Sequence, residues 1–394
     1  MQVAYITSPH YLDCSIEYIN ELKKETILDV YVVLNSNYLK ATILNIKDYT
    51  YPTGKLLSFY DLAGKIENFD LLETYVKGCH SFNFILFPDK STSIQSVIAC
   101  RNLAAAINKN VPSIIHFDDI SLQLWSLGIF LKSNWKCTNV HDPEPHSGER
   151  DWRRNLARLI LYPGMKAFIV FSAYSNKRFN EIYKPKPPVY TLALTPYYFY
   201  SKILPHDVFN ELDKDDLVLL FFGRISKYKG INELVRAFKN IYKYDARLKL
   251  IIAGRGNINN ELDVDLQSEI GNGIILYNRF IANEEIAGLM QRANYVVCPY
   301  RDATQSGVVM TAFAFQKKVI VSEVGGLYEA VIPGKNGYVY NPREPNGLEI
   351  AFGQVLEKPA LPVEFKIDNK YSAAFNSVLL LDIYALMCNS TLTI

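Results

Sequence analysis

The stretch Gly223-Arg224-Ile225-Ser226-Lys227-Tyr228-Lys229-Gly230 holds several cations between two glycines, after the apolar run Leu217–Phe222 and before an amphipathic segment. Open α/β sheets bind ligands at the C-terminal ends of their strands. A guanidinium forks onto two phosphate oxygens, and an ammonium adds a point charge. Arg224 and Lys229 therefore suit a diphosphate, and the same composition also suits a solvated basic loop. A second feature, Tyr300 to Phe315, follows the run Tyr295–Cys298. Its pair Ser306-Gly307 enters an apolar helix, so backbone N–H groups at Gly307 and Val308 would stand at a positive dipole end, an anion site that many strand–turn–helix passages share. A third, Ser322-Glu323-Val324-Gly325-Gly326-Leu327-Tyr328-Glu329, reads as a strand end, a Gly-Gly turn and a short helix.

Other polar groups have plainer readings. Asp263-Val264-Asp265 has the form of a cation-chelating pair, but it lies in the polar segment Asn257–Glu269 and reads as a solvated loop. Asp118-Asp119 reads as a capping pair, and His10 as a surface loop residue. No catalytic metal and no cofactor are expected. The segment 149–178 carries Arg150, Arg153, Arg154, Arg158, Lys166, Lys177 and Arg178 against Glu149 and Asp151, with Trp152, Tyr162, Phe168 and Tyr174 interleaved. Such a mixture suits either docking on an anionic lipid surface or an ordinary solvated helix face.

Elements to position these groups are written in the pattern. Apolar runs of strand length alternate with helix-like stretches, the mark of parallel sheets covered by helices, so the fold class is α/β. Expected strands are Val3–Thr7, Val30–Leu34, Phe84–Phe87, Ser113–Phe117, Phe168–Phe171 and Val189–Ala193 in the first half. In the second half they are Leu217–Phe222, Leu248–Ala253, Ile274–Tyr277, Tyr295–Cys298, Val319–Ser322 and Gly337–Tyr340. Leu12–Lys24 and Ser93–Ile107 read as helices, and Ile231, Leu234, Val235, Phe238, Ile241 and Tyr242 share one helical face. Another helix is expected to open at Asn283 as its N-cap.

With 394 residues, two domains are expected, with the most linker-like stretch at Ser201–Asp216. Hydrophobic residues make up 49% and charged ones 21%, which excludes intrinsic disorder. The balance of 42 basic and 40 acidic residues argues against wholesale coating of nucleic acid. Six scattered cysteines fit a reducing cytoplasm. The N-terminus has no basic leader pattern, and the apolar window Leu156–Phe171 is too interrupted to span a bilayer, so membrane attachment would be peripheral.

Taken in order, Gly223-Arg224 with Lys229-Gly230, Ala253-Gly254-Arg255-Gly256, Ala312-Phe313-Ala314 with Val319-Ile320, Gly325-Gly326 with Glu329, and Asn336-Gly337 with Val339 resemble the nucleotide-sugar domain of family 4 retaining glycosyltransferases. The likeness is dense over Leu217–Leu356 and thinner before it, where His141-Asp142-Pro143-Glu144-Pro145-His146-Ser147-Gly148-Glu149 resembles the acceptor-side histidine segment of some bacterial members. The resemblance implies two Rossmann-like domains facing across a cleft, the GT-B architecture: residues 1–205 on the acceptor side, residues 206–370 on the nucleotide-sugar side, and a final helix within 371–394 returning to the first. It makes Arg224 and Lys229 the diphosphate clamp, supported by Ser306, Gly307 and Val308. Asn278, Arg279 and Phe280 match the base-side loop, and His141 would orient the donor sugar or share a proton. Two family glutamates are replaced by Ala303 and Thr311, with Asp302 one place before the first, so Thr311 is the expected ribose neighbour and Asp302 the nearest carboxylate.

The activity so implied is retaining, metal-independent transfer of a hexose from a nucleotide diphosphate sugar to a glycan or polyprenyl-linked acceptor in cell-surface polysaccharide synthesis. It would take place in the cytoplasm, with peripheral contact at the inner membrane face. A catalytically inactive binding subunit, or a sugar-nucleotide epimerase on the same fold, is the alternative.

Overall fold

The computed structural model describes residues 1–35, 43–46, 52–147, 151–206, 212–357 and 365–389. The chain forms two compact units: one of 1–144, 150–195 and 372–394, the other of 145–149 and 196–371. The chain thus passes to the second unit after Thr195, upstream of the Ser201–Asp216 stretch, and part of that stretch, 207–211, lies outside the described residues.

The first unit holds eight strands, β1 (Gln2–Thr7), β2 (Ile27–Leu34), β3 (Leu56–Ser58), β4 (Ser81–Leu86), β5 (Ile114–Phe117), β6 (Lys136–Asn139), β7 (Ala167–Val170) and β8 (Val189–Thr191). They run in the order β3-β4-β2-β1-β5-β6-β7-β8, all parallel except β3, which pairs antiparallel with β4. The central strands read as near-continuous apolar runs because helices cover both faces of a parallel sheet. Asp29 interrupts β2 and is fully buried, but its carboxylate accepts hydrogen bonds from Ser81 Oγ (2.5 Å) and Gln2 Nε2 (3.0 Å) and meets His80 Nδ1 at 2.8 Å.

The helix Ala373–Asn389 belongs to this first unit and packs on the helix Pro9–Glu25. Its inward face is Asn376, Ser377, Leu380, Ile383, Tyr384 and Met387. Val378 and Asp382 of the same helix are exposed. Asn376 Oδ1 accepts from the Ala193 amide (2.9 Å), so a polar side chain occupies an interior position.

The second unit holds β9 (Leu217–Phe222), β10 (Leu248–Ala253), β11 (Ile274–Tyr277), β12 (Tyr295–Cys298), β13 (Lys318–Ser322) and β14 (Gly337–Tyr340). All are parallel, in the order β11-β10-β9-β12-β13-β14. Helix Ile231–Tyr242 lays Ile231, Leu234, Val235, Phe238 and Ile241 inward, as its spacing requires. The helix expected to be capped by Asn283 instead has Ala282 at its N-cap, with Asn283 as its first helical residue. Glu285 reaches back to accept from the Ala282 amide (3.0 Å), doing the work a polar cap would have done. Short pieces that composition does not reveal include β3, β6 and the helices Phe69–Val76, Trp152–Leu161 and Ala173–Tyr183.

Candidate functional site

The C-terminal ends of β9, β10 and β12 meet at one edge of the second sheet. Two glycines make this possible. Gly230 has φ of 71°, and a Cβ there would lie 1.9 Å from the Pro299 carbonyl oxygen. Gly254 has φ of 151°, and a Cβ there would lie 1.8 Å from the Gly223 carbonyl oxygen. Both backbones are pressed against neighbouring loops, which no side chain allows. Gly223 in turn sits against Val308: a Cβ built on it would be 3.6 Å from Val308 Cγ2. The basic loop and the start of helix Gly307–Ala314, separated in sequence, are therefore adjacent in space.

In the loop, Arg224 is exposed and Tyr228 buried, so Tyr228 anchors the turn Lys227–Lys229. The Arg301 amide donates to the Tyr228 carbonyl at 2.7 Å, joining this loop to the one after β12. Lys229 places its Nζ 3.6 Å from the centre of the buried Tyr300 ring and 5.1 Å from that of Tyr228, a cation–π arrangement. Burial pushes the Cys298 thiol up to about 11, so the sulfur beneath is a neutral packing group. Ser306 caps the helix by accepting from the Val309 amide at 3.4 Å. Gly307 lies under Tyr197, whose ring a Cβ would meet at 3.0 Å. The Gly-Gly turn is pinned to the same cluster, since the Gly326 amide donates to Ala303 O (3.0 Å) and Ser322 Oγ to Tyr300 O (2.5 Å).

The remaining predicted residues of this unit lie at or near the same edge with different contacts. Asn278 Oδ1 accepts from the Gly256 amide (3.1 Å), bridging the ends of β11 and β10. Arg279 forms a two-pronged pair with Glu285 (2.8 and 2.6 Å), and Phe280 beside it is 46% exposed. Asp302 receives His146 Nδ1 at 2.8 Å and the Ser147 amide at 2.9 Å. Thr311 is buried, and its hydroxyl donates to the Gly307 carbonyl (2.9 Å) one turn back, so its proton is spent within its own helix.

In the first unit, His141 is buried with Nε2 2.9 Å from Asp118 Oδ1. Burial alone would lower its pKa, but the hydrogen bonds to Asp118 and Cys14 outweigh that and hold the imidazole well above its ordinary value. Burial likewise opposes ionisation of Asp118, yet bonds from His141, Asn139 (2.8 Å) and Thr7 (2.8 Å) hold its carboxyl below the usual range. The ring of His141 stacks on Tyr11 (4.3 Å, 12°) and Phe171 (5.0 Å, 29°). The network continues inward. Asn139 Oδ1 meets His116 Nε2 at 2.9 Å, and His116 Nδ1 meets the Tyr384 hydroxyl at 2.5 Å. Burial brings His116 down to about 4, so its imidazole is neutral, unlike that of His141. Beside the network, at the C-terminal ends of β1 and β5, lies a cavity of about 310 Å³ whose lining includes His10, Tyr11, Asp119, Asp151 and Arg154.

Much of the basic segment is internally balanced. Arg158 is 1% exposed and donates to the Pro143 and Asp142 carbonyls and to Tyr183 Oη. Arg178 pairs with Glu144 and Glu181, and Arg154 with Asp142 and Asp151. The outward face of helix Trp152–Leu161 is apolar instead: Trp152, Leu156, Leu159 and Ile160 are all exposed. Residues 148–150 lie outside the described residues. Asp263, in the Asp-x-Asp triplet, is taken by Asn232 (2.9 Å) and Arg236 (3.3 Å). Among the described residues no group of three or more His, Cys, Asp or Glu side chains is placed to hold a metal ion. No helix among them is long and apolar enough to cross a membrane.

Sequence reasoning missed His146, Tyr197, Tyr228 and Tyr300 as parts of the strand-edge cluster. Aromatic residues beside glycines and cations were the available signal, but aromatics in a chain holding 27 tyrosines and 21 phenylalanines do not distinguish themselves by type.

Residues 216–358 match the family model described as Glycosyl transferases group 1. An uncharacterized glycosyltransferase of Methanocaldococcus jannaschii is 32% identical over 143 residues, 36% of this chain and 36% of its own. A glycogen synthase of Mycobacterium tuberculosis is 30% identical over 145 residues, 36% of this chain and 34% of its own. The chain thus spans about a third of the length of these curated relatives. Similarity in structure extends further. Sucrose-phosphate synthase from Thermosynechococcus elongatus superposes with a TM-score of 0.60 at 16% identity, covering 99% of this chain and 97% of that one. Anabaena HepE in complex with UDP and glucose superposes with 0.62 at 15% identity, covering 99% and 98%. Residues 216–358 are therefore similar in sequence to group 1 glycosyl transferases, and the fold of the chain is that of the GT-B glycosyltransferases.

Proposed function

We propose that the protein transfers a hexose from a nucleotide diphosphate sugar to a glycan or polyprenyl-linked acceptor, with retention and without a metal ion, in cell-surface polysaccharide synthesis. The observation that carries this reading is the strand-edge cluster of the second unit. There an exposed Arg224 and a ring-seated Lys229 share one loop packed against the N-terminus of helix Gly307–Ala314, inside the stretch similar to group 1 glycosyl transferases. Such an array of fixed donors suits a diphosphate and the charge that builds on it as it leaves. Asn278 and Phe280, near the ends of β11 and β10, are suited to receive the base.

Relatives support the acceptor class. A lipopolysaccharide 1,2-N-acetylglucosaminetransferase of Salmonella typhimurium is 26% identical over 174 residues, 40% of this chain and 45% of its own. The exposed apolar face of Trp152, Leu156, Leu159 and Ile160, flanked by Arg153, supports peripheral contact with the inner face of the cell membrane in the cytoplasm. Retention and metal independence rest on the resemblance to family 4 and on the cations of the loop.

A screen of nucleotide sugars for release of free nucleotide tests the reading. One donor is expected to be turned over, and faster with a glycan acceptor present. No release from any donor, together with no calorimetric binding of nucleoside diphosphates, would overturn it.

A further inference from the structure

The first sheet reverses its winding at β1, with β2 and β4 on one side of that strand and β5 to β8 on the other. Open α/β sheets hold ligands at such a switch point, outside the carboxyl ends of the strands. The cavity of about 310 Å³ lies there, lined wholly by residues of the first unit and at the small end of ligand sites. Its apolar lining includes Ile6, Val33 and Ile120. Its charged lining is Asp89, Asp118, Asp119, Asp151, Arg153 and Arg154, with His10 exposed beside them. Asp118 is matched by His141, which leaves three carboxylates against two guanidiniums. Arg154 is itself shared between Asp151 (3.5 Å) and Asp142 (3.7 Å), and the Arg153 guanidinium lies over the Trp152 ring, 5.4 Å from its centre.

Asp119 ends β5 in an unusual way. The Asp118 amide still donates to Ile6 O (2.8 Å), extending the ladder to β1, and the chain then turns away at Asp119 with φ of 65°. Among residues with a side chain, aspartate and asparagine tolerate this left-handed conformation best. The residue is 5% exposed; its Oδ1 accepts from the Ile120 amide (2.7 Å) and its Oδ2 from the Tyr11 hydroxyl (3.1 Å). A carboxylate offers about four lone pairs, so each oxygen keeps one for a further donor.

We infer that this cavity holds the acceptor's terminal sugar as an uncharged, hydroxyl-rich ring, with Asp119 accepting from its hydroxyls. The inference rests on the transferase reading and narrows its acceptor class. Hydroxyls donate to a carboxylate in strong, charge-assisted bonds, and the C–H faces of the ring meet Ile6, Val33 and Ile120. A phosphate has the opposite fate: it is repelled by the excess of carboxylates, which selects against it. The carrier phosphate of a polyprenyl-linked acceptor is therefore not the group that receives the hexose. A reaction that attaches a first sugar to the carrier must come before this one.

The test is saturation-transfer NMR titration of the full chain, without donor. The probes are methyl glycosides of glucose, galactose, mannose and N-acetylglucosamine, the 6-phosphates of the same glycosides, and methyl glucosaminide, which carries an ammonium. At least one neutral glycoside is expected to saturate, and its 6-phosphate to bind about tenfold more weakly or worse. Asp119→Asn keeps the left-handed turn, the bond from Ile120 and a bond to the Tyr11 hydroxyl, and removes the charge. It should leave the urea midpoint unchanged, weaken the neutral glycoside about tenfold and reduce the preference over the phosphate to a few-fold. The inference fails if no neutral glycoside binds, if a 6-phosphate or the glucosaminide binds as tightly as its neutral counterpart, or if Asp119→Asn binds the neutral glycoside as wild type does. It fails too if the variant loses neutral and phosphorylated sugars equally, since Asp119 would then only brace the loop. Turnover in the nucleotide-sugar screen separates the two readings. Glycosides that bind while no donor is turned over would overturn the transferase reading and the acceptor role with it, leaving a sugar site. A donor turned over while no glycoside binds would overturn this inference alone.

Discussion

Replacing His141 by alanine removes the partner of an ionised carboxylate that water does not reach. Asp118 is 2% exposed and His141 4%, so solvent screening is negligible. Breaking a buried pair from one side costs about 3–5 kcal/mol, because the remaining charge is left uncompensated. Thr7 and Asn139 still donate to Asp118, which places His141→Ala near the lower figure, about 3 kcal/mol. With a urea dependence of about 3 kcal/mol per molar for a unit of this size, the midpoint should fall by about 1 M. All three tryptophans, Trp125, Trp135 and Trp152, lie in the first unit, so intrinsic fluorescence in urea follows that unit selectively.

The pH dependence has a definite sign. His141 is raised in the folded state, so its contribution is full below about pH 6.5 and is lost as pH rises through the folded value. Asp118 is lowered, so its contribution is present above about pH 4 and is lost as pH falls through its folded value. The gap between wild type and His141→Ala should therefore be widest near pH 5–6 and shrink as pH rises above about 6.5. A midpoint within about 0.3 M of wild type, or a gap that widens with rising pH, would refute this account of the pair. Loss of turnover with unchanged stability would make His141 a catalytic group instead.

Other outcomes follow from the second unit. Arg224→Ala and Lys229→Ala should each lower turnover about 10²-fold with little change in the unfolding midpoint, measured with the donor the screen identifies; near-normal turnover in either would remove the diphosphate assignment. Activity should persist in EDTA, since side-chain cations supply the charge a metal would otherwise bring, and silencing by EDTA with rescue by Mn²⁺ would return Asp263 and Asp265 as ligands. Thr311→Val keeps the shape and removes a hydroxyl already bonded to Gly307 O, so nucleotide affinity should stay within about twofold of wild type; a larger loss would show that Thr311 meets the ribose. Gly254→Ala must push a Cβ into the Gly223 carbonyl, and it should unfold the second unit at lower temperature by calorimetry, whereas an unshifted transition would mean the turn can relax.

The six strands of the second unit could be read from the chain almost residue for residue, because strands buried on both faces must be apolar throughout and glycines mark where they end. The same glycines disclosed the loop of Arg224 and Lys229, since backbone pressed against backbone admits no other residue. Short or half-polar elements such as β3, β6 and the helix Trp152–Leu161 left no such trace, and the inward face of the last helix includes Asn376 and Ser377, which an apolar pattern does not reveal. Only the tertiary structure decided how the histidines divide their work. His141 and His146 stand five residues apart in one motif-like run. One is buried against Asp118 in the first unit, and the other lies on Tyr228 and Asp302 in the second. Residue type and spacing record what a side chain can do. Which carboxylate it meets is settled by contacts between residues far apart in sequence, and no local pattern encodes them.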